Sequence, residues 1–334
     1  MTDPVTGFAY PAAWVKRCTN AGRREVAAGR SVLTASGRVL RRGYTTGTTA
    51  AASCKAAVIS LDRPLDRVAL TLPCGLPAIL PACASGGIAT VVKDPGDYPG
   101  DATGGLAFVA TAVRKDTGIL FHAGEGIGRF ARDTPRYRQG DPAVSPPAYA
   151  SILRAIEEGM QECGFSGIEV TLSIPHGMEI GQRTLNPRIG VEGGISVLGS
   201  TGFVEPWDNH LAASALERVK AARQPVLTTG RLGMRFSHLR YPDGDIVLVG
   251  ARIGEAIAAA EGRTVILCGL PALILRFIEP HILEGTGCAT VEEFSRDPGF
   301  SAVVSRILAD YRRRAPLVHV VLVDRDGTVV GESA

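Results

Sequence analysis

Three carboxylates and an ammonium group crowd one short stretch, Val91 to Gly105, which reads VVKDPGDYPGDATGG. A strand ending at Lys93 releases Asp94, Asp97 and Asp101 into a turn-rich loop at a sheet edge. Loops of this kind carry a disproportionate share of binding and catalytic groups, although Asp, Pro and Gly are also the ordinary residues of turns. Lys93 beside the acids makes a magnesium site unattractive. The stretch Arg41 to Leu61, RRGYTTGTTAAASCKAAVISL, offers different chemistry. Its threonines and glycines stand in front of an alanine-rich run, the pattern of a loop feeding a helix N-terminus. The hydroxyls of Thr45, Thr46 and Thr48 can cap that helix, and the free N–H groups of its first turn attract an anion. An ordinary capped helix is the plainer alternative. Gly124-Glu125-Gly126-Ile127-Gly128-Arg129 does not follow the G-x-G-x-x-G nucleotide pattern, so its glycines point to close approach of backbone to a ligand or strand. Arg129, Arg132, Arg136 and Arg138 then fall close together.

These groups need elements to position them. Residues 1 to 40 read as a lead-in with a short helix at 12–17 and a basic helix at 21–30. After the helix at 48–61 come β-rich segments at 68–72, 76–84, 88–93, 106–114 and 119–122, punctuated by Gly, Pro and Asp. The connection from Gly124 to Pro147 exceeds the roughly 12 to 15 residues beyond which a structureless loop is expected to be functional. A helix at 149–163 and a strand at 168–174 complete this half. From Gly193 onward the pattern becomes strand, glycine turn, helix. Ile195–Leu198 leads through Gly199-Ser200-Thr201-Gly202 to a helix at 209–222, and strands at 226–229, 246–249 and 265–268 end at Gly230, Gly250 and Gly269. Val318–Val323 is a last strand. The expected fold is α/β with two domains: an α+β two-layer domain over 41–190 and a Rossmann-like domain with a mainly parallel sheet over 191–334. In such sheets ligands sit at the carboxyl ends of the strands.

Composition narrows the class. A chain of 334 residues exceeds one typical core, and 45% hydrophobic with 21% charged residues describes a globular protein. No apolar run approaches the roughly 20 residues of a membrane span, and the N-terminus lacks a signal-peptide layout, so a cytoplasmic location is expected. A net charge of +3 is too small to imply a nucleic-acid partner. Seven irregularly spaced cysteines and six scattered histidines define neither a disulfide framework nor a zinc site. There is no Walker lysine motif and no Ser-His-Asp or Cys-His pattern.

The string GYTTGTTAAA, with two arginines before it and Lys55 within the helix, resembles the opening signature of the cobalt-precorrin-5B C1-methyltransferases, the CbiD family. Lys93-Asp94-Pro95-Gly96-Asp97, Asn186-Pro187-Arg188, Gly193-Gly194-Ile195-Ser196 and the run from Gly199 to Pro206 are similar to further elements of that family, in the same order. Beyond Gly233 the likeness thins: the family's Thr-His-Ser element is not reproduced by Pro280-His281-Ile282 or Gly285-Thr286-Gly287.

The resemblance implies transfer of a methyl group from S-adenosylmethionine to ring carbon C1 of a cobalt-containing tetrapyrrole, in anaerobic cobalamin synthesis. Alignment supplies much of such a displacement, so no nucleophilic side chain is required. Under this reading Asp94, Asp97 and Thr46 are the catalytic candidates. Thr45, Thr48, Lys93, Asp101, Glu125, Arg129 and Arg188 are candidates for the substrate, whose acetate and propionate groups suit guanidinium forks. Gly199, Thr201, Gly202, Glu205, Gly230 and Gly250 are candidates for the cofactor, with Glu205 as a carboxylate for the ribose. No protein-bound metal is expected, and a homo-oligomer is left open. The halves are expected to meet near Gly190 around the active cleft. A phosphate-handling enzyme using the threonine-rich helix end, or a non-catalytic tetrapyrrole carrier, are the alternatives.

Overall fold

A computed structural model describes the chain except residues 35, 99, 135–136, 207–208 and 334, with backbone alone at 209–214 and 231. The fold is mixed α/β and divides into two compact units, Met1–Leu33 with Gly37–Asp208, and Thr34–Ser36 with Asn209–Ala334.

The first unit opens with helices α1 (Ala12–Arg17) and α2 (Asn20–Ala27), paired strands β1 (Ser31–Leu33) and β2 (Val39–Arg41), and a two-residue strand β3 (Gly43–Tyr44). Helix α3 (Thr46–Ser60) follows, and all of its residues are buried. A helix enclosed on every side has no room for a polar face, which is why its residues are small: Gly, Ala, Ser, Thr and Cys fill most positions. Its polar groups are satisfied inside. Ser53 Oγ donates to the Ala50 carbonyl, and Ser60 Oγ donates to Ala57 while accepting from the Gly87 amide.

Five strands come next: β4 (Leu65–Thr71), β5 (Pro77–Ser85), β6 (Ile88–Val92), β7 (Ala107–Lys115) and β8 (Gly118–Ala123). Short strands β9 (Gly126–Ile127) and β10 (Arg129–Phe130) precede helix α4 (Pro146–Cys163) and strand β11 (Gly167–Ser173). The large sheet has the order β4-β5-β6-β7-β11-β8, antiparallel except for β11 beside β8. Along β4 to β7 alternate residues point inward onto α3, and α4 covers the helix from its other side through the Lys55–Glu158 ion pair at 2.8 Å. The outer sheet face shows Ile79, Ile88, Val92, Val113 and Leu120 to solvent.

The unit closes with α5 (Gly177–Gln182), β12 (Val191–Glu192), β13 (Gly194–Ile195) and β14 (Phe203–Val204). These strands pair back onto β10, β9 and β3 respectively. That pairing carries the division to 208/209, away from the boundary near Gly190 expected from sequence. It also gives the 124–147 connection structure of its own, including bridges from Arg129 to Pro142 and from Val144 to Val197.

In the second unit α6 (Asn209–Ala221), β15 (Pro225–Thr228), α7 (Arg231–Arg240), β16 (Asp245–Leu248), α8 (Ile253–Ala259), β17 (Val265–Gly269) and α9 (Pro271–Ile278) alternate. A short α10 (Val291–Phe294), α11 (Phe300–Arg314), β18 (Val318–Val323) and β19 (Val329–Glu332) complete it. The sheet order is β16-β15-β17-β18-β19, with parallel pairing as far as β18 and an antiparallel last strand. Among the described residues no helix is long and apolar enough to cross a membrane.

Because α3 leaves no space around it, Ala52→Leu should destabilise the protein by about 1–3 kcal/mol, read as a lowered urea midpoint. A variant as stable as the parent would show that the helix is less tightly enclosed than its burial indicates.

Candidate functional site

The N-terminus of α3 is already occupied by its own chain. The Gly47 amide donates to the Leu198 carbonyl at 2.8 Å, the Thr45 amide to the Gly202 carbonyl at 3.0 Å, and the Thr48 amide to the capping Thr45 hydroxyl at 3.2 Å. Thr46 Oγ1 donates toward the Ser196 carbonyl and accepts from the Leu198 amide, and Thr48 Oγ1 donates to Gly202. Carbonyl oxygens therefore provide the negative ends that the helix terminus attracts, in place of the anion expected at Thr45, Thr46 and Thr48. The segment 196–202, which holds the cofactor candidates Gly199, Thr201 and Gly202, is a strap over a buried helix end. Its glycines permit the contact. A Cβ on Gly199 would stand 2.3 Å from Thr45 Oγ1, and Gly202 combines a φ of 91° with Leu72 and Pro73 at 3.0 Å from its Cβ position. Thr201 accepts a bond from the Cys74 amide through its carbonyl.

Glu205, expected beside a ribose, is instead an ion-pair partner. Both of its carboxylate oxygens lie 3.1 Å from Nε of Arg42, whose side chain is fully buried. The same guanidinium meets Asp3 at 2.5 Å and the carbonyls of Gly29 and Ser31 at 3.0 and 3.3 Å. A buried guanidinium requires such a set, since each unsatisfied N–H would be costly.

The acids of the 93–101 loop are similarly committed. Asp94 forms a two-point ion pair with Arg41 and accepts from the Gly96 amide; Asp97 accepts from the Arg41 amide at 2.8 Å. Lys93, only 2% exposed, pairs with Asp101, which also accepts from the amide and hydroxyl of Thr103. Burial works against ionisation of Asp94 and Asp101, yet the Arg41 bond on one and the Lys93 and Thr103 bonds on the other hold both carboxyls below their ordinary range. Arg41 and Gly43 lie against this loop so closely that a Cβ on Gly43 would stand 2.2 Å from the Pro95 backbone. The catalytic candidates Asp94, Asp97 and Thr46 thus have partners within the chain, and the geometry matches the turn-forming alternative.

An open site lies elsewhere in the first unit. Gly126, Gly177, Gly181 and Gly194 bring three backbone segments, β9, α5 and β13, together: a Cβ on Gly177 or Gly194 would stand 2.2 Å from the Gly126 carbonyl oxygen, and one on Gly181 2.3 Å from that of Gly194. Asn186 locks the layer, donating to the Gly194 carbonyl at 3.0 Å and accepting from Ser196 Oγ at 2.9 Å. Against it opens a cleft of about 450 Å³ lined by Glu125, Ile174, His176, Met178, Glu179 and Gln182. His176 adopts a left-handed conformation, φ 63°, which is uncommon for a residue with a side chain. Of the sequence candidates, only Glu125 reaches this cleft. Arg129 spends its guanidinium on the carbonyls of Gly140 and Ala123, Arg136 lies outside the described residues, and Arg188 is exposed. His176 and Met178 were missed by sequence reasoning; the glycine after His176, set between a strand and a short helix, was the available signal.

In the second unit Gly230 and Gly250 do follow parallel strands. Chain order runs β15, β16, β17, while β16 and β17 flank β15 on opposite sides, so the direction of winding reverses between β15 and β17. Gly230, capping α7, sits at that reversal with open space at its Cβ position; Gly250 follows the edge strand β16. Across the reversal, a Cβ on Gly269 would stand 3.4 Å from the hydroxyls of both Thr228 and Thr229. Thr228 Oγ1 is buried without a hydrogen-bond partner among the described residues.

The family model described as CbiD matches residues 33–206. The chain belongs to the CbiD family. The CbiD match spans the strap, the 93–101 loop and the glycine layer, and ends just before the second unit begins. Similarity to curated relatives runs the whole length. The chain is 56% identical over 334 residues to the cobalt-precorrin-5B C(1)-methyltransferase of Methanoregula boonei, covering all of both chains, and 54% identical to that of Methanoculleus marisnigri, covering 99% of each. The crystal structure of the cobalamin biosynthesis protein CbiD from Archaeoglobus fulgidus superposes with a TM-score of 0.74 at 30% identity, over 97% of this chain and 100% of that one.

Two outcomes follow from the committed groups. Gly202→Val should lower Tm by about 5 °C or more, through positive-φ strain and loss of room over Leu72, with any loss of cofactor binding tracking the loss of fold. A stable variant deficient in cofactor binding alone would return the strap to the cofactor site. The depressed Asp101 carboxyl contributes stability above the unfolded carboxyl pKa of about 3.9, and that contribution disappears as pH falls through its lower folded value. Lys93→Met/Asp101→Asn should therefore lose less Tm than the parent between roughly pH 5 and pH 2. Identical acid limbs would show that the pair does not couple folding to protons.

Proposed function

We propose that this protein is a cobalt-precorrin-5B C(1)-methyltransferase that takes its methyl group from S-adenosylmethionine. The observation carrying the proposal is identity of 56% across the complete length of a relative with that name, so that both units are covered. The donor supplies a methyl group already activated by its sulfonium. In the transfer a carbon–carbon bond forms at C1 as the carbon–sulfur bond breaks, S-adenosylhomocysteine departs with the sulfur lone pair, and the transferred positive charge is discharged as a proton. A reaction of this type asks the protein for orientation and for exclusion of water.

The reading of the second unit as Rossmann-like supports a donor site at the reversal between β15 and β17, where doubly wound sheets take ligands. Gly230 leaves space there for close approach, Thr229 and Gly269 stand opposite, and Gly250 offers a second turn one strand away. The ion pair of Glu205 with Arg42 weighs against its use as the ribose carboxylate. The phosphate-handling alternative is disfavoured, since the helix end it would use is filled by the carbonyls of Leu198 and Gly202.

Incubation with cobalt-precorrin-5B and methyl-labelled S-adenosylmethionine should give a product with one label at C1 and equimolar S-adenosylhomocysteine. Absence of labelled product from folded protein would overturn the reaction. Gly230→Val should weaken S-adenosylmethionine binding by about tenfold in calorimetry with Tm unchanged, because the Cβ meets open space and the backbone there is extended. Unchanged affinity would move the donor away from this turn.

A further inference from the structure

We propose that the segment from His176 to Ile189 is a rigid platform that binds the tetrapyrrole, with Met178, Leu185 and Ile189 supporting the macrocycle and Arg183 and Arg188 holding its peripheral carboxylates. The proposal rests on the methyltransferase reading and adds a location for its substrate.

Three large apolar side chains in this segment stand in solvent: Met178 is 56% exposed, Leu185 67% and Ile189 41%. The backbone beneath them cannot retract to bury them. Gly177 and Gly181 abut the carbonyls of Gly126 and Gly194, and the Asn186 side chain is bonded to Gly194 of β13 and to Ser196 just after it. Apolar groups held outward on a fixed support are a mark of a ligand or partner surface. Arg183 and Arg188 are exposed in the same segment, and their side chains have no hydrogen-bond or ion-pair partner among the described residues. Forked donors beside an apolar surface complement a flat ring that bears carboxylates around its rim. Glu125 and Glu179 line the cleft beside the N-terminal part of this segment, whereas the side chains exposed from 183 to 189 include both arginines. His176 closes the cleft end in its left-handed conformation, a residue fixed in place by the packed Gly177 that follows.

Uroporphyrin, a tetrapyrrole with acetate and propionate groups, serves as the probe, titrated by its fluorescence against the full-length protein. Arg183→Glu/Arg188→Glu should weaken its binding by about tenfold or more without a change in Tm, since neither side chain has a partner to lose. Arg154→Glu/Arg306→Glu, the same change of charge at exposed helix positions, should alter binding by less than about twofold. Equal weakening in both variants, wild-type affinity in Arg183→Glu/Arg188→Glu, or no binding of uroporphyrin by the wild type would each overturn the platform. The labelled-methyl assay on the wild type decides the reaction separately, so turnover together with any of those results removes the platform and leaves the reaction.

Discussion

A helix buried along its entire length imposes the conditions that the rest of the first unit meets. The first turn of α3 is largely withdrawn from water, so its donors turn to oxygens of the chain itself. The solution is the strap at 196–202, whose carbonyls and amides are met by Thr45, Thr46, Gly47 and Thr48. The strap lies so close to Thr45 and Leu72 that side chains are excluded at Gly199 and Gly202. The threonine-rich string and the glycine-threonine run, though some 150 residues apart, are two halves of one contact.

The strap in turn needs an anchor where it leaves the helix. Arg42 provides it by joining Glu205 to Asp3 and to the 29–31 backbone, which draws the chain's first residues and the end of the strap to one buried cation. Exchange of that cation for an apolar group would strip the ion pair from the buried Asp3 and from the partly exposed Glu205, a destabilising change even though the intact cluster is not itself a large source of stability. Its value lies in specification: one geometry satisfies five acceptor atoms at once. The adjacent Arg41 performs the same service on the outside, fixing Asp94 and the Asp97 turn.

Much of the fold was legible because its signals are local. The small-residue run before Leu61, the alternation in β4 to β7 and the glycine-terminated strands of the second unit each appear where periodicity and turn chemistry put them. The site was less legible because hydroxyls, carboxylates and glycines have the same appearance whether they face a ligand or another part of the chain. Thr46, Asp94 and Glu205 have the chemistry of ligand-binding groups, and their partners, at Leu198, Arg41 and Arg42, follow only from tertiary pairing. The boundary near Gly190 failed for the same reason: residues 191–204 contain apolar strands and glycine turns, but these strands pair with β10, β9 and β3, distant in sequence. His176 escaped attention because a single histidine carries no pattern, and only its backbone angle distinguishes it.

The distribution of internal commitments also bears on catalysis. Groups that hold the strap and the 93–101 loop are spent on the fold, so a reaction that required a nucleophile or a free carboxylate would find few candidates among them. Methyl transfer from a sulfonium makes a different demand, because the electrons come from the substrate and the leaving group is already activated. What it requires is a macrocycle held within a fraction of an ångström of its attacking position. Interlocked backbone supplies that better than long side chains do, since glycine-to-carbonyl contacts leave no rotamers to average over. The density of such contacts around Gly126, Gly177, Gly181 and Gly194 is therefore the feature to expect in an enzyme that contributes alignment more than chemistry.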